Sequence, residues 1–429
     1  MLKIVRAVTD LIARTSMSAA RVAKPERQRL LFNCEQTLPD NLEFKIAETQ
    51  EEIEACLKLL HEAYVDNGFM NPDPSGLRVT IFHALPTTTT LCAKIDDEVV
   101  GTLSLIRDGP FGFPMQKIFD LRKVASEGGV IAEVSALAIH RSFRRQSGMI
   151  LFPLMKFMYN YCVTFFDVSH LVIAVNPRHV YMYESVLFFK RLQTQQVDSY
   201  DYVNGAPAIG LTLDLHEAFD EYKLVYGSRP PERNLYHYFT QLHLDNIQLP
   251  ARRFFTTNDP VMTPAMLNYF FNVRTDCFEQ LEDRDRARLH TIYDLKEYYP
   301  ILPDYSARTT ESRVRHHSRF SFKGPGWFKF KPQNGKITNV NLQVVEVSRN
   351  GFVAKATTKL LIDQWGDVEI HLGRNEISRS PSCVMRDMAN GLYAFHIDAP
   401  DVIWRKFIAA VSMGSTSQDL EDATQFLDL

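Results

Sequence analysis

The chain predicts a mixed α/β (α+β) sheet with flanking helices, then a helical connector, then a small β-barrel. Three observations lead there. From Phe44 to Leu215, apolar runs of strand length alternate with stretches of helical period. From Phe320 onward, short strand-like runs are separated by glycines and polar turns. Between these regions, Ser228-Arg-Pro-Pro marks a boundary, and a helical style follows it. The ranges expected are 1–43 for an amphipathic helix and linker, 44–226 for the sheet domain and 227–305 for the connector. The barrel is expected over 306–414 and an acidic tail over 415–429.

Met1–Lys24 carries Leu2, Ile4, Val5, Val8, Leu11 and Ile12 at helical spacing among five basic residues and one acid, Asp10. Such a helix either lies on the anionic inner face of a membrane or docks on its own protein. Phe44-Lys-Ile-Ala reads as a strand, and Glu51–Asn67 as a helix with Ile53, Leu57, Leu60 and Tyr64 on one face. Thr87–Ile95 and Glu98–Arg107 flank an Asp96-Asp97 turn and read as a hairpin. A loop rich in Gly and Pro, Asp108–Met115, leads to a helix-like stretch ending at Glu127.

Val130–His140, VIAEVSALAIH, then reads as a buried strand with a single ionisable group, Glu133. A carboxylate there is costly to desolvate unless it is paired or used. The basic loop Arg141–Gly148, a long apolar helix and a second buried strand, Leu171–Val175, follow. Val203–Leu215 closes the domain as another strand. Beyond the boundary, Glu232–Leu244 and Thr263–Leu289 read as helices, the second with a Thr263 N-cap and Pro264 after it. The barrel strands expected are Trp327–Lys331, Ile337–Val347, Phe352–Ala356, Val368–Leu372 and Leu392–Ile397, followed by the helix Val402–Val411.

Composition narrows the class. At 429 residues the chain has room for two or three domains. Its 45% hydrophobic and 23% charged residues suit a globular protein, and a net charge of −3 gives no global reason to expect nucleic acid. Six scattered cysteines form no C-x-x-C, so neither a zinc site nor a disulfide framework is expected, and a reducing cytoplasm fits. No apolar run is expected to span a membrane, and no signal-peptide core stands at the N-terminus. His61-Glu62 lacks the second histidine of a zinc protease, so no metal is expected.

The order strand, basic loop with glycine, helix, strand, Asn176, helix with Tyr183 resembles the GNAT acyltransferases. In that fold two neighbouring parallel strands splay, and an acyl-thioester arm slots between them. The loop departs from the usual coenzyme A pattern: Arg145-Gln-Ser-Gly148-Met149-Ile150 keeps the first glycine and puts Ile150 where a small residue stands. A branched side chain there is expected to hinder a diphosphate at the helix N-terminus. Arg141, Arg144, Arg145 and Lys156 form a cluster with no acid among them. It is either a mouth for an acidic acyl carrier protein or a solvated basic surface.

LPTTTT (Leu85–Thr90), VVGTLSL (Val99–Leu105), AEVSALAI (Ala132–Ile139), VIAVNPRHV (Val172–Val180) and YVNGAPAI (Tyr202–Ile209) together resemble the long-chain N-acyl amino acid synthases. These are GNAT-fold relatives of the acyl-homoserine-lactone synthases. The resemblance implies transfer of a fatty acyl chain from acyl carrier protein to the α-amine of an amino acid, with no tightly bound cofactor. Glu133 is then the candidate base, and the backbone after Ser135 the oxyanion site. Tyr183 is the candidate acid at the departing thiolate. Asn176 and His179 shape the pocket, Arg178 clamps the substrate carboxylate, and Arg144 and Arg145 meet the donor. The lactone synthases carry Glu-Ser-x-Arg-Phe on this strand. Here the pair is spaced as Glu133-Val-Ser135, and Ala136 and Leu137 replace the Arg and Phe. Each residue also has a plain structural reading. Glu133 pairs with Arg178 or His179, Tyr183 is core, Asn176-Pro ends a strand, and Thr87–Thr90 lie on an edge strand. Leu151, Phe152, Phe157, Phe165 and Phe166 are candidates to line an acyl tunnel, or are core.

Arg315-His-His-Ser-Arg319 and Glu346-Val-Ser348-Arg-Asn-Gly351 resemble the PilZ domains, small barrels that bind cyclic di-GMP. The resemblance implies nucleotide contacts by Arg315, Arg319, Glu346, Ser348 and Gly351 and a second-messenger switch on the acyl tunnel. Glu346 stands where that family has Asp or Asn. The competing classes are a coenzyme A-dependent acetyltransferase of small amines and a non-catalytic cyclic di-GMP effector that binds a lipid or a partner.

Overall fold

The computed structural model describes residues 32–166, 168–250, 262–293, 296–306, 319–332, 335–373, 375–388 and 391–412; side chains are described at all of these except 144–147 and 321. The chain divides into two compact units, residues 1–83 with 88–250, and residues 84–87 with 251–429. The stretch expected as a helical connector is thus shared between them.

The first unit is the expected mixed sheet. In chain order its strands are β1 (Leu42–Ile46), β2 (Thr88–Ile95), β3 (Glu98–Arg107), β4 (Val130–Ile139), β5 (Val168–Val175), β6 (Lys190–Arg191), β7 (Val197–Tyr200) and β8 (Ala206–Asp214). They lie in the order β1-β2-β3-β4-β5-β8-β6, with β7 also on β8. Every pairing is antiparallel except β4 with β5.

Two helices cover opposite faces. The first, α1 (Gln50–Asp66), starts at a capping box between Thr49 and Glu52. Burial alone would raise the Glu52 carboxyl, but the Glu48 N–H and the ammoniums of Lys45 and Lys94 bring it down to about 2. The cap therefore ties α1 to β1 and β2. A short turn, α2 (Arg122–Ser126), precedes β4. The long apolar helix is α3 (Ser147–Tyr161), extended by a π turn over Cys162–Phe166. Gly148–Phe166 is long and apolar enough to cross a membrane, contrary to the expectation of no such run, and 56% of it is buried inside the protein. Ile150, Leu154 and Phe157 are fully buried in the core with Leu91, Leu103, Leu105 and Ala132 of the sheet. Gly101 of β3 lets this helix approach: a Cβ there would stand 2.7 Å from the Ile150 Cγ2. Helices α4 (Val180–Ser185), α5 (Leu215–Tyr226) and α6 (Leu235–Thr240) complete the unit. The helix expected over Glu232–Leu244 is only the short α6, preceded by a 3₁₀ turn, Pro231–Arg233.

In the second unit, the helix expected over Thr263–Leu289 is broken. It consists of α7 (Pro264–Asn268), a π turn over Tyr269–Val273, and α8 (Asp283–Ile292). Val273, at the end of that π turn, is 66% exposed. The barrel is closed by six antiparallel strands: β9 (Arg319–Phe330), β10 (Thr338–Ser348), β11 (Gly351–Ala356), β12 (Trp365–His371), β13 (Ile377–Asp387) and β14 (Leu392–Ile397). Their order is β10-β11-β14-β13-β12-β9. The sequence reading had no β13. Its buried alternate positions are Ser378, Ser380 and Ser382, which hide the apolar period.

The helix α9 (Val402–Ser412) puts Trp404, fully buried, into the barrel core, where its indole N–H donates to Ser348 O and Arg349 O. Replacing Trp404 with Ala removes a large packed ring and leaves those carbonyls short of a donor. We expect a loss of about 3–5 kcal/mol, read as a lower urea midpoint for the barrel's transition by circular dichroism.

Candidate active site

The ladder between β4 and β5 is short. Register pairs run Val130 with Val168, Ile131 with His170, Ala132 with Leu171 and Glu133 with Val172, and then stop. Both strands continue, β4 paired only to β3 and β5 only to β8. A bulge in β4 opposite Thr102–Ser104 accompanies the divergence, and Ala136 within it adopts φ +53°. That left-handed conformation costs about 1–2 kcal/mol for a residue with a Cβ. The splay expected from the sequence is therefore present, and a cavity fills it. Its wall includes Glu133–Leu137 of β4 and Ile173–Asn176 at the end of β5.

The two faces of the sheet differ at this gap. Thr88, Ile106, Glu133 and Val172 lie side by side across four strands, and Thr90, Ser104 and Ser135 form the next row. Paired residues share a face, so this face carries hydroxyls and one carboxyl. Thr90 Oγ1 lies 3.4 Å from Ser104 Oγ. α1 covers this face, where the Cys56 thiol meets that of Cys92. The opposite face is Leu91, Leu103, Leu105 and Ala132, covered by α3. The cavity reaches both faces, with Tyr64, Glu133 and Ser135 on one and Leu103, Met155 and Met158 on the other. A second, apolar cavity shares Met155, Met158 and Phe189 with the first and runs between Leu171, Leu213, Ala218 and Phe239.

Glu133 is 2% exposed. Its carboxylate accepts a hydrogen bond from Met115 N–H at 3.1 Å. It pairs with no basic side chain among the described residues, so the ion pair with Arg178 or His179 is not formed. Burial pushes its carboxyl up to about 8, and the Met115 hydrogen bond only partly opposes that rise. Tyr183 lines the same cavity edge-on to Phe189, and burial raises its hydroxyl to about 12. His179 also lines it; chiefly burial, with the Arg178 charge acting in the same direction, holds its imidazole down to about 4 and therefore neutral. Asn176 lines it while its Oδ1 accepts from Arg178 N–H at 3.2 Å, a turn that ends β5.

Several expected residues stand elsewhere. Arg178 is exposed and lines neither cavity. Lys156 does not belong to a basic mouth: it is buried, and its ammonium donates to Tyr238 O at 2.7 Å and to Phe239 O, near the end of α6. Burial lowers it to about 8. Arg141 is exposed, and the side chains of Arg144 and Arg145 lie outside the described ones. Ile150 packs into the core against Gly101, not over the loop, so its size does not obstruct a diphosphate. Leu151, Phe152, Phe157, Phe165 and Phe166 line neither cavity; from the same helix Met155, Met158 and Tyr159 do. β2 is not the outermost strand, but its ladder with β1 covers only Leu91–Ile95; of the threonines, Thr90 O accepts from Ala47 N–H just beyond it. Sequence reasoning missed Met115, Tyr64, Tyr200 and Tyr202 at the site. The last belongs to the quoted motif YVNGAPAI, which was the available signal.

In the barrel, Arg319, Glu346, Ser348 and Gly351 meet at one end. Arg319 donates to Glu346, and Ser348 Oγ donates to Gly351 O at 3.0 Å. Gly351 is required there, since a Cβ would stand 2.4 Å from Phe395 O. Arg315 lies outside the described residues.

Residues 55–214 match the sequence model of the N-acyl amino acid synthase FeeM. Among solved structures, the chain is similar to FeeM, an N-acyl amino acid synthase from uncultured soil microbes. Identity is 25% over 42% of this chain and 93% of that one, with a TM-score of 0.37. It is also similar to the acyl-homoserine-lactone synthase LasI, at 14% identity over 41% and 90% with a TM-score of 0.33. For BjaI, a coenzyme A-dependent acyl-homoserine-lactone synthase, the figures are 16%, 49%, 94% and 0.34. A search of curated proteins finds no match. The matched residues run from α1 to the end of β8 and include Glu133 and the gap beside it. The chain is an acyltransferase, one that transfers an acyl group to nitrogen.

The buried carboxyl has a measurable consequence. Between pH 4.5 and about 8 the folded protein holds a proton on Glu133 that the unfolded chain has lost. Stability from this group is full below that window and is lost as pH rises through it. In Glu133→Gln that loss disappears. The variant's melting advantage over the parent should widen across the window and then level off. It should reach a few kcal/mol, since each tenfold change in proton affinity is worth about 1.4 kcal/mol. Thermal denaturation of both proteins over a pH series reads it.

Proposed function

We propose that the enzyme moves a long-chain fatty acyl group from acyl carrier protein to the α-amine of an amino acid. The observation that carries this reading is the desolvated Glu133 beside a gap with one polar and one apolar side. An amino acid is polar and a fatty chain is not, and the two must meet at one carbonyl carbon. The acyl tail runs past Met155, Met158 and Phe189 into the apolar cavity, and the amine approaches from the hydroxyl-bearing face.

Glu133 takes a proton from the amine, directly or through water. The amine nitrogen then attacks the thioester carbon. Backbone N–H groups after Ser135, where β4 has left β5, receive the developing oxyanion. The C–S bond breaks as the amide forms. Tyr183, held protonated by burial, donates a hydrogen bond to the departing sulfur, which takes up the second proton that the nitrogen sheds as the amide forms. Asn176 and neutral His179 shape the wall. The choice of carrier protein as donor rests on the five resembling motifs; Ile150 adds nothing to it.

The test is expression of the full chain in a bacterium, followed by lipid extraction and mass spectrometry. Acyl amino acids should appear and fall by about 10²- to 10⁴-fold in Glu133→Gln. With purified protein, the rate should climb as pH rises toward about 8, as Glu133 ionises. Long-chain acyl carrier protein should outperform the matching acyl-coenzyme A. Acetylation of small amines from acetyl-coenzyme A, or no acyl product at all, would replace this reading with the acetyltransferase or the non-catalytic effector.

We also infer that the barrel binds cyclic di-GMP. Supporting this are Arg319, Ser348 and Gly351, gathered at one barrel end in the pattern that PilZ domains use. The Arg319–Glu346 pair must open to free the guanidinium for phosphate, so binding is expected to be weak. Calorimetric titration with cyclic di-GMP should show saturable binding that weakens at least tenfold in Arg319→Ala.

A further inference from the structure

At the α1 side of the cavity the wall is formed partly by Tyr64 and Tyr202. Both rings pack against a third side chain. The Arg78 Cζ stands 4.1 Å from the Tyr64 ring centre and 4.8 Å from that of Tyr202. Phe82 meets Tyr202 edge-on from behind. Arg78 is 8% exposed, and its Nη2 donates to Tyr202 O at 2.8 Å. Among the described residues no carboxylate forms an ion pair with it. A guanidinium packed against aromatic rings donates in its own plane, and it carries five N–H groups. Ring faces and one carbonyl offset part of the desolvation of a buried cation, and an in-plane carboxylate would complete it. Arg78 and Glu133 are both close enough to act on Tyr64: burial raises its hydroxyl, Arg78 opposes and Glu133 adds. The nearby His83 is held down to about 4 by burial, then by Arg78, so it is no second cation.

We infer that Arg78, packed against the cavity-lining rings of Tyr64 and Tyr202, binds the α-carboxylate of the acceptor. The role expected of the exposed Arg178 thus falls to a buried residue that packs directly behind two rings of the cavity wall. This rests on the proposed acylation of an amino acid. It adds that the substrate must carry an anion beside its amine. Amine toward Glu133 and carboxylate toward Arg78 would fix which face of the amine meets the thioester. An ester, amide or decarboxylated amine would leave the guanidinium buried and unpaired.

The experiment compares standard amino acids with their α-carboxamides as acceptors for the full-length protein with long-chain acyl carrier protein. The same compounds are titrated by calorimetry in parallel. The parent should prefer the acid over the amide on the order of 100-fold in kcat/KM. In Arg78→Gln the preference should collapse toward one, mainly through KM, and Arg78→Lys should recover part of it. Arg178→Gln should keep the parental preference. A merely structural Arg78 would lower acid and amide together and leave their ratio intact, and that result overturns the assignment while the acyltransfer reading stands. If no acceptor is acylated but amino acids still bind, and Arg78→Gln weakens them and not their amides, the carboxylate site stands and the reaction falls. Equal binding of acid and amide by the parent overturns the site.

Discussion

The first unit depends on one interruption: the hydrogen-bonded ladder between β4 and β5 ends at Glu133 and Val172 while both strands go on. A parallel pair keeps its evenly spaced bonds only while the strands stay adjacent. Once they part, each strand has an edge whose N–H and C=O groups need partners. In the interior of a sheet this is costly, and the structure adds to the cost with Ala136 at φ +53°. Such an arrangement persists where something else occupies the gap. An extended thioester arm has the right shape, because its amides can pair with a strand edge as another strand would.

The gap also unites two environments that the sheet otherwise separates. Strand alternation puts Thr88, Thr90, Ser104, Ser135 and Glu133 on one face and Leu91, Leu103, Leu105 and Ala132 on the other. A closed sheet would keep a polar acceptor and a fatty chain on opposite sides of a wall. Opening it at one point lets each side supply its own reactant. The capping network of Glu52 with Lys45 and Lys94 serves this division indirectly, by fixing α1, and with it Tyr64, over the polar face.

Much of this was legible in the sequence. The runs that became β3, β4 and β14 stand within a residue of where period and turn residues put them, because their burial is set by their own side chains. The carboxyl in an apolar strand announced itself by its cost. Errors arose where a side chain's direction decides its role. Lys156 and Ile150 belong to a basic or loop-forming stretch by position, yet α3 turns both inward. Arg178 sits within the motif in sequence, but the turn made by Asn176 leaves it in solvent, and the distant Arg78 packs against two rings of the wall instead. Met115 contributes only a backbone N–H, which no residue type can signal. In the barrel, buried serines concealed β13, and the Thr263–Leu289 period gave no sign of the break after Val273.

Burial of Glu133 serves more than one end. A carboxylate with the usual affinity for protons is ionised at neutral pH but is a poor match for an ammonium. Desolvation brings it to about 8, closer to the range of an amine, as the proposed base role needs, at the cost of leaving only roughly a tenth of it ionised at pH 7. The single donor from Met115 is consistent with that balance: two or three N–H groups would pull the carboxyl back to ordinary acidity. A basic neighbour such as Arg178 would do the same, and would make an inert ion pair of the acid. The cation behind the cavity wall, Arg78, is kept against the Tyr64 and Tyr202 rings, and burial and the Met115 N–H alone set the acidity of Glu133. Separating the acid from the cation preserves both, as the proposed pairing with the amine and the carboxylate of one amino acid requires.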